Sequence, residues 1–266
     1  MIELKGDPVR KLYIRDIFIF KEKYPEVKFS FIMNPAVPES KSYVRMLERF
    51  AVALGVPFQT VEIQTAAEAY AAVNRANRNP GEMIIVARPL AVDGENAIID
   101  EIDPAKDPDM LTGANVARLV RGDLSRLPGT AQSVIALLDH YRIAVQGQKA
   151  LIVGRSISVG MPIFLALQRK DAFCTLAHSK VTVEKIREEA QSSDLIVLAA
   201  GRRGLIRPED IKRSATVVDC GFHADGSGDL GFIPSCAFFT PVPGGVGPLT
   251  IAAVIKNGYY LFSNEH

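Results

Sequence analysis

The chain has 266 residues, of which 48% are hydrophobic and 23% charged, and a formal net charge of +1 at pH 7. At roughly 100 to 200 residues per domain, that length predicts one large or two modest domains, and the composition excludes a disordered or fibrous chain. No run of five or more like charges offers an electrostatic footprint for DNA, RNA or anionic lipid, which favours a small-molecule function and no nucleic-acid or membrane partner.

The N-terminus carries Glu3, Lys5, Asp7, Arg10 and Lys11 before an apolar stretch, Ile17 to Phe20, too short for a signal peptide or membrane span, so a cytoplasmic protein is expected. Further along, short β-branched apolar runs alternate with stretches of helical spacing. Strands are predicted at Val27 to Met33, Met83 to Val86, Ala150 to Val153, Ala172 to Leu176, Leu195 to Ala199 and Thr216 to Cys220. Helices are predicted over Ser42 to Leu54, Ala66 to Asn77, Ala131 to Tyr141, Met161 to Arg169, Val183 to Ala190 and Leu249 to Phe262. This alternation predicts a parallel α/β architecture.

The last four strands fall about twenty residues apart, the rhythm of a Rossmann-type half. The preceding segment, Val116 to Asp139, reads as helix interrupted at Pro128-Gly129, which marks a candidate domain border. The expected division is residues 1–127 with 249–266 as one α/β domain, and 128–248 as a dinucleotide-binding domain. Cys174, Cys220 and Cys236 lie in or beside apolar runs without C-x-x-C spacing, which predicts buried thiols in a reducing compartment.

In Leu151-Ile152-Val153-Gly154-Arg155-Ser156-Ile157-Ser158-Val159-Gly160-Met161-Pro162 a buried strand runs into a glycine, turns, and enters a helix. Gly154 supplies the tight turn, Gly160 permits close approach, and Pro162 suits the first helical turn, where its missing N–H costs nothing. The helix start then presents free N–H groups to a pyrophosphate. The spacing alone is equally compatible with a plain strand-to-helix turn. A NAD site places an acid after the second strand, whereas here Ala177-His178-Ser179-Lys180 follows. With Arg155, these groups suit a 2′-phosphate, favouring NADP over NAD. Three prolines and three glycines between Thr240 and Thr250 predict a rigid loop that approaches a ligand or crosses between domains.

Gly154-Arg155-Ser156 with Val159-Gly160-x-Pro162, His178-Ser179, Ala200-Gly201, Val218-Asp219-Cys220-Gly221, Gly228-Asp229 and Thr240-Pro241-Val242-Pro243-Gly244-Gly245-Val246-Gly247-Pro248 occur in order. Together they resemble the signature of the methylenetetrahydrofolate dehydrogenase/cyclohydrolase family. The resemblance continues into the first half through Ser40 to Val44, Gly55-Val56, Val86-x-x-Pro89-Leu90, Lys106-Asp107-x-Asp109 and Arg121-Gly122-Asp123. It implies two α/β domains, the second a Rossmann-type parallel sheet, with a ligand cleft between them, and a homodimer formed through the Rossmann domain.

By position, the resemblance makes Tyr43 the residue that stacks on the folate rings and Asp109 the acid that holds the pterin; these two are the catalytic candidates. Gly154, Arg155, Ser156, Gly160, His178, Ser179 and Gly201 are the cofactor-binding candidates. Pro89, Pro243, Gly244 and Gly245 join Tyr43 and Asp109 as substrate-binding candidates, and no metal is implied. Two family positions depart from the pattern. The lysine expected four residues after the tyrosine is Leu47, and its glutamine partner is Ala87. Arg88 also replaces a residue that is usually apolar, and the stretch from Asn34 to Glu39 is divergent.

Hydride transfer needs approach and orientation but no obligatory protein acid or base. Opening a methenyl ring with water needs proton handling, which a placed lysine supplies. The resemblance therefore implies an NADP-dependent methylenetetrahydrofolate dehydrogenase with weak or lost cyclohydrolase activity. A dehydrogenase for a different pterin carrier and a non-catalytic NADP- or folate-binding relative are the alternatives. Of the nearby cations, Arg45 and Arg49 point away from position 47 on a helix, while Lys41 is expected to precede the helix.

Overall fold

Long apolar runs closed off by turn residues become the strands of two separate parallel sheets in the computed structural model, which describes residues 1–223 and 225–264. In chain order the elements are β1 (Ile2–Glu3), α1 (Asp7–Lys23), β2 (Lys28–Met33), α2 (Pro38–Leu54), β3 (Phe58–Glu62), α3 (Ala66–Asn77), β4 (Glu82–Val86), α4 (Glu95–Asp100) and α5 (Gly113–Val120). They continue with α6 (Gly129–His140), β5 (Lys149–Val153), α7 (Gly160–Arg169), β6 (Phe173–Ala177), α8 (Val183–Ser192), β7 (Leu195–Leu198), β8 (Thr216–Asp219), β9 (Phe238–Phe239) and α9 (Gly247–Ser263). The protein is an α/β protein, and none of its described helices is long and apolar enough to cross a membrane.

The described chain divides into two units. One joins Met1–Lys11 to Leu119–Thr250; the other joins Leu12–Arg118 to the helical segment from Ile251. This differs from the expected division at the N-terminus, because Ile2 and Glu3 pair in parallel with Phe238 and Phe239, and the Gly6 amide donates to the Gly244 carbonyl at 2.8 Å. The border also falls before Pro128-Gly129: Val116 to Asp139 forms two helices, α5 and α6, with eight residues between them. Glu265 and His266, the end of the expected 249–266 segment, lie outside the described residues.

In the larger sheet the strand order is β1-β9-β8-β7-β5-β6, all parallel. Leu151, Val153, Ile196, Leu198 and Val217 of the central strands pack with Ile186, Ala190 and Leu205 into one buried cluster, as expected for a parallel sheet covered on its faces. The smaller sheet has the order β3-β2-β4. Its β2 and β4 are buried along almost their whole length, whereas β3 is an edge strand with four half-buried residues and one exposed. That exposure is why Phe58–Glu62 has no apolar run to betray it in the sequence. The two-residue strands β1 and β9 are too short to carry any pattern. In α1, Val9, Tyr13 and Ile17 form a buried four-residue repeat among charges, and Ile17 to Phe20 is part of that helix.

Glu82 opens β4 fully buried, and its carboxylate binds all three strands of the smaller sheet together. It accepts from Ser30 of β2, from Gln59 of β3 at 2.7 Å and from Asn79 at 2.7 Å, and pairs with Lys28 at 3.1 Å. Burial would push its pKa up, but the hydrogen bonds from Ser30, Lys28 and Asn79 prevail and hold it below the usual value. Glu82→Ala strips these donors of their acceptor and is expected to cost about 3 kcal/mol in urea unfolding at neutral pH. Because the folded pKa is depressed, this stability is present above the ordinary glutamate pKa and is lost as pH falls through the folded value. The gap between wild type and variant should therefore narrow in acid.

Candidate functional site

At the head of β5 the backbone of the larger unit comes closer to itself than any side chain allows. Gly154 has φ +126°, and a Cβ there would lie 2.1 Å from the Ala199 carbonyl oxygen; one on Gly160 would lie 2.0 Å from the Gly154 oxygen. Both glycines of the turn are required by this packing, which seats the first turn of α7 against the end of β5. The Ser156 hydroxyl accepts from the amides of Val159 at 3.2 Å and Gly160 at 3.4 Å, so it also stabilises the entry to α7. Pro162 sits in the first turn of α7, where it leaves no intrahelical donor missing.

A cleft of about 260 Å³ opens beside this turn, lined by Gly154, Arg155, Ser156, His178 and Ser179 among the cofactor candidates. Gly160 lies behind the turn and Gly201 just past the rim, next to lining residues Ala200 and Arg202. Val181, Val183, Ile186 and Leu205 supply an apolar wall that no sequence motif announced; β6, α8 and the loop after β7 bring them together. No carboxylate is among the described residues that line it. The His178 Nδ1 accepts from the Lys180 amide at 3.2 Å, which assigns the proton of the neutral ring to Nε2.

The two acidic motifs interlock behind the cleft. Asp219 ends β8, and its carboxylate accepts from the amides of Gly221 at 2.8 Å, Asp229 at 3.0 Å and Leu230 at 2.8 Å. Asp229 in turn accepts from the amides of Ala200 and Gly201, each at 2.9 Å, and contacts His223 Nε2 at 3.0 Å. A Cβ on Gly221 would meet the Asp229 carboxylate at 2.3 Å, and one on Gly228 the Asp219 carboxylate at 2.2 Å. The spacing of these acids and glycines thus encodes a staple that holds the loop after β7. Burial raises the Asp219 pKa despite its three amide donors. The Asp219 amide is bound by the Thr240 hydroxyl at 2.8 Å, which ties the proline-glycine loop to the same network. Within that loop Pro243 is exposed, Gly244 half-buried with φ +111°, and Gly245 buried; a Cβ on Gly6 would meet the Gly245 oxygen at 2.1 Å.

In the smaller unit, Tyr43 of α2 donates to Asp109 at 3.4 Å, so these two candidates do meet. Burial and the neighbouring Asp107 charge push Asp109 up to about 7, against the lowering effect of the Tyr43 hydroxyl. The loop bearing Asp109 is clamped by the rest of its motif. Lys106 donates to the carbonyls of Ala76 at 3.3 Å, Asn77 at 2.6 Å and Asn79 at 2.6 Å, closing the C-terminal end of α3. Asp107 accepts from Thr112 at 2.8 Å and Asn115 at 3.0 Å. Pro89 is exposed and follows a cis peptide bond.

Leu47 and Ala87 are both fully buried, and the carbonyl of Ala87 is bound by Ser40 at 2.7 Å. Helix α2 begins at Pro38, earlier than expected, so Lys41 lies inside it rather than before it. Six residues from position 47, Lys41 is turned about 120° from Leu47 at roughly 100° per residue and does not replace the missing lysine. Arg88, in place of a usually apolar residue, donates to Glu95 at 2.6 Å and Asn96 at 3.4 Å. The three cysteines are free; burial pushes the thiol of Cys174 up to about 11 and raises Cys220 further.

Helix propensity alone makes Gly→Ala favourable by about 1 kcal/mol. The backbone contact at Gly160 reverses that sign, so Gly160→Ala is expected to lower the thermal midpoint. Asp229→Ala removes the acceptor of two backbone amides, and hydrogen exchange at Ala200 and Gly201 should speed up at least tenfold while β5 and β7 keep their protection.

Residues 128–266 match the family described as tetrahydrofolate dehydrogenase/cyclohydrolase, NAD(P)-binding domain. A bifunctional protein FolD of Methanoculleus marisnigri is 36% identical over 235 residues, covering 84% of this chain and 82% of its own length. The bifunctional methylenetetrahydrofolate dehydrogenase/cyclohydrolase FolD of Campylobacter jejuni superposes with a TM-score of 0.90 at 28% identity over 100% of both chains. The methylenetetrahydrofolate dehydrogenase-cyclohydrolase of Trypanosoma brucei, solved with NADP cofactor and an inhibitor, gives 0.89 at 30% identity over 100% of this chain and 97% of its own. With its turn, its sheet order and its interlocked acids, the chain belongs to the tetrahydrofolate dehydrogenase/cyclohydrolase family.

Proposed function

We propose that the protein is an NADP-dependent methylenetetrahydrofolate dehydrogenase of one-carbon metabolism whose cyclohydrolase activity is weak or lost. The observation that carries the reading is the Gly154-to-Gly160 turn on a parallel sheet, with a cleft whose described lining holds cations and hydroxyls and no acid. The residues present fit the cofactor: Gly154 and Gly160 let the turn fold tightly onto neighbouring backbone, which sets the start of α7, a favourable neighbour for a pyrophosphate, beside the cleft lined by Gly154, Arg155 and Ser156. Arg155, Ser156, His178 and Ser179 take the phosphates and ribose, and Gly201 lets the loop after β7 close on the nucleotide. Bound NADP supplies the hydride acceptor.

The chain's own residues then have to orient the folate. Tyr43 offers a ring for stacking, and Asp109 offers a carboxylate matched to the pterin N–H edge by paired charge-assisted hydrogen bonds. Pro89, Pro243, Gly244 and Gly245 provide backbone and rigid walls for the substrate. Orientation is what hydride transfer asks of a protein, and no acid or base need act on the methylene bridge. Ring opening by water is different, because Leu47 and Ala87 offer no proton donor or acceptor on their side chains. The reading also includes a cytoplasmic enzyme and a homodimer formed through the dinucleotide unit. In light scattering the dimer would appear at about twice the 29.0 kDa chain mass.

With 5,10-methylenetetrahydrofolate and NADP, reduced cofactor and the methenyl product should accumulate in equal amounts, with methenyl decay no faster than in buffer. No cofactor reduction with NADP or NAD overturns the dehydrogenase; enzymatic methenyl decay overturns the loss of ring opening.

Asp109 gives a second check. Its carboxylate forms as pH rises through about 7, so the KM for the folate should fall between pH 6 and 8. Asp109→Asn should raise that KM at least tenfold and abolish the slope. The raised folded pKa also means that stability from this group is present in acid and is lost as pH rises through about 7. Asp109→Asn should therefore exceed wild type in thermal stability at pH 8 but not at pH 4.

A further inference from the structure

The loop between β7 and β8 carries four arginines, Arg202, Arg203, Arg207 and Arg213, and the second and third are committed to the protein. Arg203 is bound to Asp225 and Ser227, and Arg207 pairs with Glu209 at 3.1 Å and Asp210 at 3.4 Å. Arg187 of α8 braces the same loop from below, donating to the carbonyls of Gly204 at 3.0 Å and Leu205 at 3.3 Å. On the other side, Asp229 holds the amides of Ala200 and Gly201. Between these anchors stands Arg202, exposed, lining the cofactor cleft and bound to no side chain among the described residues.

The cleft's other guanidinium, Arg155, belongs to the glycine turn and is likewise exposed. Two cations thus border an apolar wall of Val181, Val183, Ile186 and Leu205, with no carboxylate among the described lining residues to neutralise either. An apolar wall suits a purine face. Paired guanidinium groups suit a dianionic phosphomonoester, which each can bind through parallel N–H donors. A loop pinned on both sides gives Arg202 a fixed backbone origin, so less freedom is lost when its side chain binds.

We propose that Arg202 is a second specificity-determining phosphate ligand, acting with Arg155 on the phosphomonoester of the adenosine ribose; this rests on the NADP reading above. No motif singled it out, because its neighbours in the cleft come from β5, β6 and α8.

The test is calorimetric titration of wild type, Arg202→Gln and Arg202→Lys with adenosine 2′,5′-bisphosphate and with AMP, neither of which needs turnover. Wild type should bind the bisphosphate at least tenfold more tightly than AMP. Arg202→Gln should lose about tenfold for the bisphosphate and less than twofold for AMP, with Arg202→Lys between them. In steady state the same variant should raise the KM for NADP about tenfold with kcat within twofold. Equal losses for both nucleotides overturn the proposal by making Arg202 a partner of the purine face, and an unchanged bisphosphate affinity overturns it by making Arg202 a bystander. Wild type that fails to prefer the bisphosphate would instead refute the NADP reading, a result visible before any variant is made.

Discussion

The backbone approach at the head of β5 is the constraint on which the dinucleotide unit depends. A carbonyl oxygen occupies the place where Gly154 would carry a Cβ, and a second does so at Gly160. Only with both side chains absent can α7 begin directly against the strand end, next to the cleft-lining residues Gly154, Arg155 and Ser156. The position of β5 between the edge strand β6 and β7 then brings the two loops that follow those neighbours to the same opening.

A second device gives the loops their shape. Asp219 and Asp229 are buried carboxylates whose hydrogen bonds run mainly to backbone amides, five in all across the two side chains. Such groups are costly to bury unless satisfied, and once satisfied they specify one loop conformation. Lys106 and Asp107 do the same work in the smaller unit, around the loop that carries Asp109. Several residues that look chemical in a motif are therefore the frame around the candidate binding residues.

The departures at positions 47 and 87 acquire a physical form in the smaller unit. Leu47 joins Val44, Phe50 and Ala51 on the buried face of α2, and Ala87 follows β4 with its carbonyl already bound by Ser40. Apolar side chains fit this packing without a partner, whereas an amine or amide would require one. The polar pair that meets in this unit is Tyr43 and Asp109.

Much of this was written locally in the chain. Six apolar runs marked six of the strands, and the two glycines marked the cofactor turn by their spacing, although the backbone that excludes a side chain at Gly154 belongs to Ala199 on a neighbouring strand end. The ordered motifs carried the family, and the absent lysine and glutamine were readable as single letters. What remained hidden depended on long-range packing. Edge strand β3 and the short strands β1 and β9 have too little burial or length to leave a pattern, and the first eleven residues joined the larger unit through pairing across more than 230 positions. The start of α2, which takes Lys41 out of contention, was obscured by Pro38, a residue that opens helices as readily as it breaks them. The meaning of the Asp219 and Asp229 motifs, the commitment of Arg88 to Glu95, and the exposure of Arg202 on a braced loop were decided only by the tertiary structure. A sequence specifies which groups a chain possesses, but which of them spend their hydrogen bonds on the protein and which are left for a ligand is settled when distant segments meet.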